Sequence, residues 1–256
     1  PAGVPGGSDQ VHLMHTVTLD QNFQTSDTVF VYDALNLDKN SVLTLNPGTM
    51  ILVNNGLYNG RIGSIGRNAK ILGYYTFQKW VTRCDGNSIY GSPFTVPLKD
   101  LSWYTCYRCM GGTWSNIFYY NEATQGYNDS TGGQINRGRG FFYWFKNYKG
   151  GKNFPRQVSL KGATDFTSDF DFGISYTSGA EAGLNLIANP FPGTIDWLSL
   201  GWTKKSVSNA VYTWNSCSDS YASFAGGVGV NGGSRYISSM QGFWVLATGK
   251  NSGLSV

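Results

Sequence analysis

Apolar and polar residues alternate in short bursts along most of this chain. The pattern is clearest in Gly183-Leu-Asn-Leu-Ile-Ala-Asn189. There Leu184, Leu186 and Ala188 fall on one face of an extended strand, and Asn185, Ile187 and Asn189 on the other. Asn189-Pro-Phe-Pro-Gly193 then ends the strand, because each proline fixes φ and removes a backbone donor. Upstream, bursts recur at 11–19, 28–32, 34–37, 41–45 and 49–53. They are separated by the turns Asp38-Lys-Asn40, Asn46-Pro-Gly48 and Asn54-Asn-Gly56. Two more strands are predicted at 157–161 and 172–176, either as a hairpin or in different sheets. No helix of ten residues is predicted, and a short one is expected after each proline turn, at 98–104 and 195–200. For 10–73 the spacing fits either a few coils of a β-solenoid or a β-sandwich of meandering strands.

The later chain repeats itself. Ser92-Pro-Phe94 answers Asn189-Pro-Phe191, and Asp100-Leu101 answers Asp196-Trp197. Asn116-Ile-Phe-Tyr-Tyr-Asn121 answers Asn209-Ala-Val-Tyr-Thr-Trp-Asn215. Ile135-Asn-Arg-Gly-Arg-Gly-Phe-Phe-Tyr-Trp144 matches Ile237-Ser-Ser-Met-Gln-Gly-Phe-Trp-Val-Leu246 without a gap. The four signals keep their order, which marks a duplication. The expected class is all-β: a Gly/Pro-rich arm at 1–9, an N-terminal solenoid-like or sandwich region at 10–73, and two homologous β-sandwich-like modules. The first module with its connecting strands covers 74–179, and the second covers 180–256.

Composition narrows the class. Of 256 residues only 13% are charged, about half the usual share, while glycine numbers 34 and aromatics reach 15%. That mixture suits short strands, tight turns and partly wet aromatic faces. The net charge of +4 is scattered, which argues against a nucleic-acid partner. No apolar run approaches the roughly 18 to 20 residues of a membrane span. The opening Pro1-Ala-Gly-Val-Pro5 is not a translation start, so either a leader was removed or the chain is a fragment. The arm, with Pro1, Val4 and Pro5, is expected to be pinned against something, a neighbouring subunit being one candidate. Four cysteines, Cys84, Cys106, Cys109 and Cys217, permit disulfides and an extracellular setting.

The stretches Gly183-Leu-Asn-Leu-Ile-Ala-Asn-Pro-Phe-Pro-Gly-Thr-Ile-Asp-Trp197, Ala210-Val-Tyr-Thr-Trp-Asn215 and Gly232-Gly-Ser-Arg-Tyr-Ile-Ser-Ser-Met-Gln-Gly-Phe-Trp-Val245 resemble a β-rich module of large secreted proteins of Bacteroidota. Such modules commonly precede a C-terminal signal for type IX secretion. The resemblance covers about residues 80 to 250 and is strongest in the second copy. It implies an outer-surface location and no particular reaction. The chain ends at Val256 without a sorting domain, as a processed form or a truncated one would.

No candidate chemistry stands out. Cys106-Tyr-Arg-Cys109 lacks a second such pair for zinc and lacks the βαβ context of a redox motif. Pairing of Cys84 with Cys106 or Cys109 is favoured, which leaves Cys217 free. His12 and His15 are poorly spaced for joint ligation on a strand. Asp165, Asp169 and Asp171 form an acidic turn and a weak calcium candidate; otherwise no cofactor is expected. Asp100 and Asp196 are expected to cap turns rather than to act as a glycosidase pair. The glycine-rich run 224–235 lacks the Gly-Lys-Ser/Thr ending of a phosphate loop. Trp103, Tyr104, Tyr107, Trp114, Tyr143 and Trp144 could serve a packed core, a subunit interface or a glycan platform. The leading expectation is a non-enzymatic extracellular structural protein, a surface or filament subunit that self-associates head to tail through its arm. The rival is a carbohydrate-binding or adhesin module using exposed aromatics.

Overall fold

The bursts between residues 11 and 81 wind into a three-faced solenoid of parallel strands. The first face holds Val11–Leu13, Thr28–Val31, Thr49–Leu52 and Tyr75–Val81. The second holds Val17–Leu19, Ala34–Leu37 and Arg61–Ile65, and the third Phe23–Thr25, Val42–Leu45 and Lys70–Leu72. The alternation therefore serves parallel ladders between successive rungs, and the single burst 11–19 breaks at a corner into two strands. The computed structural model describes residues 5–81, 86–98, 106–109, 112–129, 133–145, 156–163 and 169–256. It is all-β and divides into two compact units, Pro1–Thr82 with Pro155–Ser168 and Arg83–Phe154 with Asp169–Val256.

Inside the solenoid every second residue points inward and stands on its equivalent in the rung before. Val11, Val29, Met50 and Tyr75 form one column, and Leu13, Val31, Leu52 and Phe77 the next. The second face stacks Leu19 on Leu37 and the third stacks Phe23 on Leu43 and Ile71. Val31, Met50 and Leu52 are fully enclosed, each worth roughly 1.5–3 kcal/mol of transfer from water. Corners must rest on corners, and Gly73 shows why one is glycine. At φ +113°, its Cβ would lie 2.3 Å from the Leu45 carbonyl oxygen. The strand predicted near 157–161 ends this unit. Arg156–Gly162 runs antiparallel to Tyr75–Val81 and extends the first face by one strand. The compact unit that holds the solenoid runs to residue 82 and takes in 155–168.

The second unit contains both repeats. The first copy forms a four-stranded sheet in the order Gly86–Tyr90, Phe141–Phe145, Ile117–Asn121, Gly126–Asp129. The second keeps that order in Leu184–Ala188, Gly242–Ala247, Val207–Asn215, Ser220–Ala225, and adds Val228–Val230 at the edge. The proline turns are organised alike: Ser92 Oγ accepts the Phe94 N–H at 3.0 Å, and Asn189 Oδ1 accepts the Phe191 N–H at 2.9 Å. A two-stranded ladder follows each turn, Val96–Pro97 with Gln134–Ile135 and Ile195–Asp196 with Tyr236–Ile237. The helix expected at 195–200 is this short strand and a turn, in which Asp196 Oδ1 accepts the Leu198 N–H. Most of its expected counterpart at 98–104 lies outside the described residues. Asp171–Phe172 pairs with Gly253–Ser255, so the two connecting strands belong to different sheets. The glycine-rich run is a hairpin in which Gly226 and Gly227 make the turn between Ser220–Ala225 and Val228–Val230.

Candidate functional site

The two copies are not strung out in sequence. They pack face to face as an approximate twofold pair. The register makes Phe118 equivalent to Tyr212 and Phe142 to Trp244, since each pair is matched across the same two strands. One cluster joins the inner faces: Ile89 with its counterpart Leu186, Tyr120 with Trp214, and Phe142 with Trp244. The backbone contacts are reciprocal. Gly91 N–H donates to Met240 O at 3.1 Å, and Ala188 N–H donates to Gly138 O at 2.8 Å. Tyr90 bridges Gln241 as Ile187 bridges Arg139. Gly91 and Ala188 are themselves equivalent, so they meet on the axis, where a Cβ on Gly91 would lie 1.9 Å from that of Ala188.

On one side the symmetry breaks and opens a cleft of about 440 Å³. The break comes from residues present in one copy only. Arg137 and Arg139 stand where the second copy has Ser239 and Gln241, and Glu122 stands where it has Ser216. Glu122 is buried and accepts from Thr177 N–H, Thr177 Oγ1, Ser175 Oγ and Gly183 N–H, which clamps the segment entering the second copy. Burial opposes its charge, but those hydrogen bonds outweigh it and hold the carboxyl below the usual range. Arg137 donates from Nε to the Pro190 carbonyl at 2.9 Å, with its guanidinium near the Phe170 and Phe191 rings. Arg139 is exposed and stacks 4.1 Å from the Tyr119 ring, on the cleft wall that also carries Asp171. Burial, and then the Glu181 carboxylate, push the Tyr120 phenol well above its ordinary value. Tyr127 is pushed up to about 12, first by burial and then by Tyr221 and Glu181. Both phenols therefore stay protonated near neutral pH. The cleft lining sets two guanidiniums, Arg137 and Arg139, beside two carboxylates, Glu122 and Asp171, with hydrogen-bonding groups between them. Ser175, which also lines the cleft, donates its hydroxyl to the Glu122 carboxylate at 2.8 Å.

A second surface lies at the start of the solenoid. There Pro5, Val11, Leu13, Val17, Leu19 and Phe23 ring an apolar hollow of about 230 Å³ floored by Val29, Leu35 and Leu43. The same columns that are sealed one rung on are open here, and Val17 is 37% exposed. The described part of the arm is held by its own chain: Gly7 O accepts the Ser26 N–H at 2.7 Å, as Thr25 O accepts the Asn46 N–H one rung later. Residues 5–7 thus continue the third face by one partial rung.

The expected site residues separate. Tyr143 is buried in the first copy and Trp144 is 44% exposed. Trp103, Tyr104 and the side chains of Tyr107 and Trp114 lie outside the described residues, as do Asp100, Pro1 and Val4. Cys217 is disulfide-bonded, which corrects the expectation that it is free. The side chains of Cys84, Cys106 and Cys109 lie outside the described residues. Asp169 and Asp171 are exposed, Asp165 is not described, and no three His, Cys, Asp or Glu gather among the described residues. Asp196 caps its turn and also makes a two-bonded ion pair with Arg235, 2.7 Å from its Nε. His12 stacks on Phe30 at 4.7 Å and hydrogen-bonds Tyr32 at 3.2 Å; His15 lies in the following corner. Glu122 and Arg139 escaped the sequence reading. Their signal was available as charges that one copy carries and the other lacks.

Fold and surfaces together define an all-β protein in which a parallel solenoid is joined to a duplicated, face-to-face sheet pair. The chain matches no family model, no curated protein and no solved structure.

Proposed function

We propose that this is a non-enzymatic structural protein of a bacterial cell surface, and that it assembles with copies of itself through exposed strand edges. The observation that carries this reading is the open solenoid end, where apolar columns and two strand edges stand uncovered among the described residues. The Cys217 disulfide supports an oxidising, extracellular setting. The resemblance of the repeats to modules of secreted Bacteroidota proteins points the same way. Negative-stain electron microscopy and sedimentation velocity over a range of concentrations test it. Concentration-dependent assemblies are expected, and single particles throughout would remove the reading.

The cleft favours a second reading, adhesion to acidic glycans. The exposed Arg139 is stacked on the Tyr119 ring, an arrangement that suits a sugar carboxylate. Binding on a glycan array that disappears with Arg139→Ala would promote this reading to first place. Binding that survives this substitution would place any glycan site elsewhere, with Trp144 the next residue to replace.

A further inference from the structure

The open end of the solenoid has a shape that fits itself. We propose that two copies of this chain meet head to head across a dyad through Val11–Leu13, each closing the other's hollow. This inference rests on the reading of the protein as self-associating and names the surface and the partner.

The argument begins with hydrogen bonds. Among the described residues Val11–Leu13 pairs in parallel with Thr28–Val31 on one side only, and Leu13 O accepts the Tyr32 N–H at 3.0 Å. Bonding groups alternate along a strand, so the N–H and C=O of His12 point to the free edge. A dyad normal to this face brings the strand antiparallel to its own copy, with His12 opposite the partner's His12 and two bonds exchanged between them. In that register Val11 faces the partner's Leu13. Both are interior-facing columns, so the in–out alternation is preserved.

The other two faces close at the same spacing. Rungs of a sheet lie about 4.8 Å apart, so each successive face of a three-faced coil lies about 1.6 Å further along the axis. Relative to Val11–Leu13, the strand Val17–Leu19 lies one such step deeper. Residues 5–7, held against Ser26, lie one step higher. The dyad sets each copy's Val17–Leu19 opposite the partner's residues 5–7, and deeper plus higher restores about 4.8 Å. Without the partial rung of the arm, that face would gape. None of the residues lining the hollow is charged, so the two heads meet without repulsion. Head-to-tail stacking does not close in this way. At the far end Arg156–Gly162 already lengthens the first face alone. The contact is small: a rung of about twenty residues at roughly 3.3 Å each encloses a triangle about 20 Å on a side. Such a triangle covers only roughly 200 Å² per copy, below the size of stable specific interfaces, so the exchanged strand bonds rather than buried area hold the contact, and the dimer is weak, with dissociation in the high micromolar range.

The test is sedimentation velocity of the full chain across the micromolar range, comparing wild type with His12→Pro. Proline on a free edge removes the outward N–H and no backbone ladder bond, along with the His12 side-chain contacts to Gln10, Tyr32 and Phe30. A wild-type monomer–dimer equilibrium, weakened at least tenfold in His12→Pro at an unchanged melting temperature, is the expected result. Equal assembly of both proteins would overturn the head-to-head contact and leave self-association standing. So would higher oligomers that persist in the variant, which would point to the exposed Val228–Val230 edge instead. Monomers at every concentration would remove both the contact and the broader reading. If His12→Pro melts early, Val17→Lys, which sets a charge in the hollow, is read by the same criteria.

Discussion

The two units use repetition in opposite ways. The solenoid repeats by translation: each rung covers the one before and leaves its own face bare, so the first rung exposes what the second buries. Leu13 and Val31 occupy the same column, yet only Val31 is sealed. The duplicated sheets repeat by rotation: each copy covers the other, and Phe142 and Trp244 end in one shared cluster. Translation leaves an end that invites a partner, whereas a dyad satisfies itself. The molecule thus carries a closed pair and an open stack.

The comparison breaks most visibly in the stack. Leu52→Ala, in a column sealed above and below, is expected to cost about 2–5 kcal/mol. Val11→Ala, at the open rung, should cost well under half as much, as read by urea unfolding of each variant. Equal losses would mean that the open end is as well packed as the middle.

Next in size is the axis. Gly91→Ala should destabilise the second unit by roughly 1–3 kcal/mol, because two β-carbons cannot share that place. The reciprocal variant Gly91→Ala with Ala188→Gly should recover most of the loss, since it exchanges equivalent positions. Failure of that rescue in thermal unfolding would show that the twofold is only superficial.

A comparable effect sharpens the asymmetric side. Glu122→Gln should lose about 1–3 kcal/mol by weakening charge-assisted bonds to Ser175, Thr177 and Gly183. The sign of the pH dependence follows from a folded carboxyl held below its unfolded value. Its contribution is complete well above the unfolded pKa and is lost as pH falls through the folded one. Unfolding measured below about pH 5 should therefore be less steeply acid-sensitive in Glu122→Gln than in wild type.

Much of this was legible in residues. The strands near 28, 34, 42 and 49, and the turns between them, follow from alternation and from Asp, Asn, Gly and Pro, which act over a few positions. The duplication was legible too, because equivalent positions need equivalent packing: Phe141 and Phe243 both sit at full burial. Even the cleft had a trace, in charges unmatched between the copies. Local pattern could not choose solenoid over sandwich, because alternation reads the same in parallel and antiparallel ladders.

What the sequence alone determined is therefore the β class, the strand and turn positions, and the existence of two like copies. Tertiary structure decided the rest. Val11 pairs with Val29 and Met50 with Tyr75 across whole rungs, Gly91 meets Ala188 from the other copy, and Cys217 is disulfide-bonded. The physical reason is range. Backbone preference and periodicity act between neighbours, whereas pairing direction, register and burial depend on surfaces that meet only after the chain has folded.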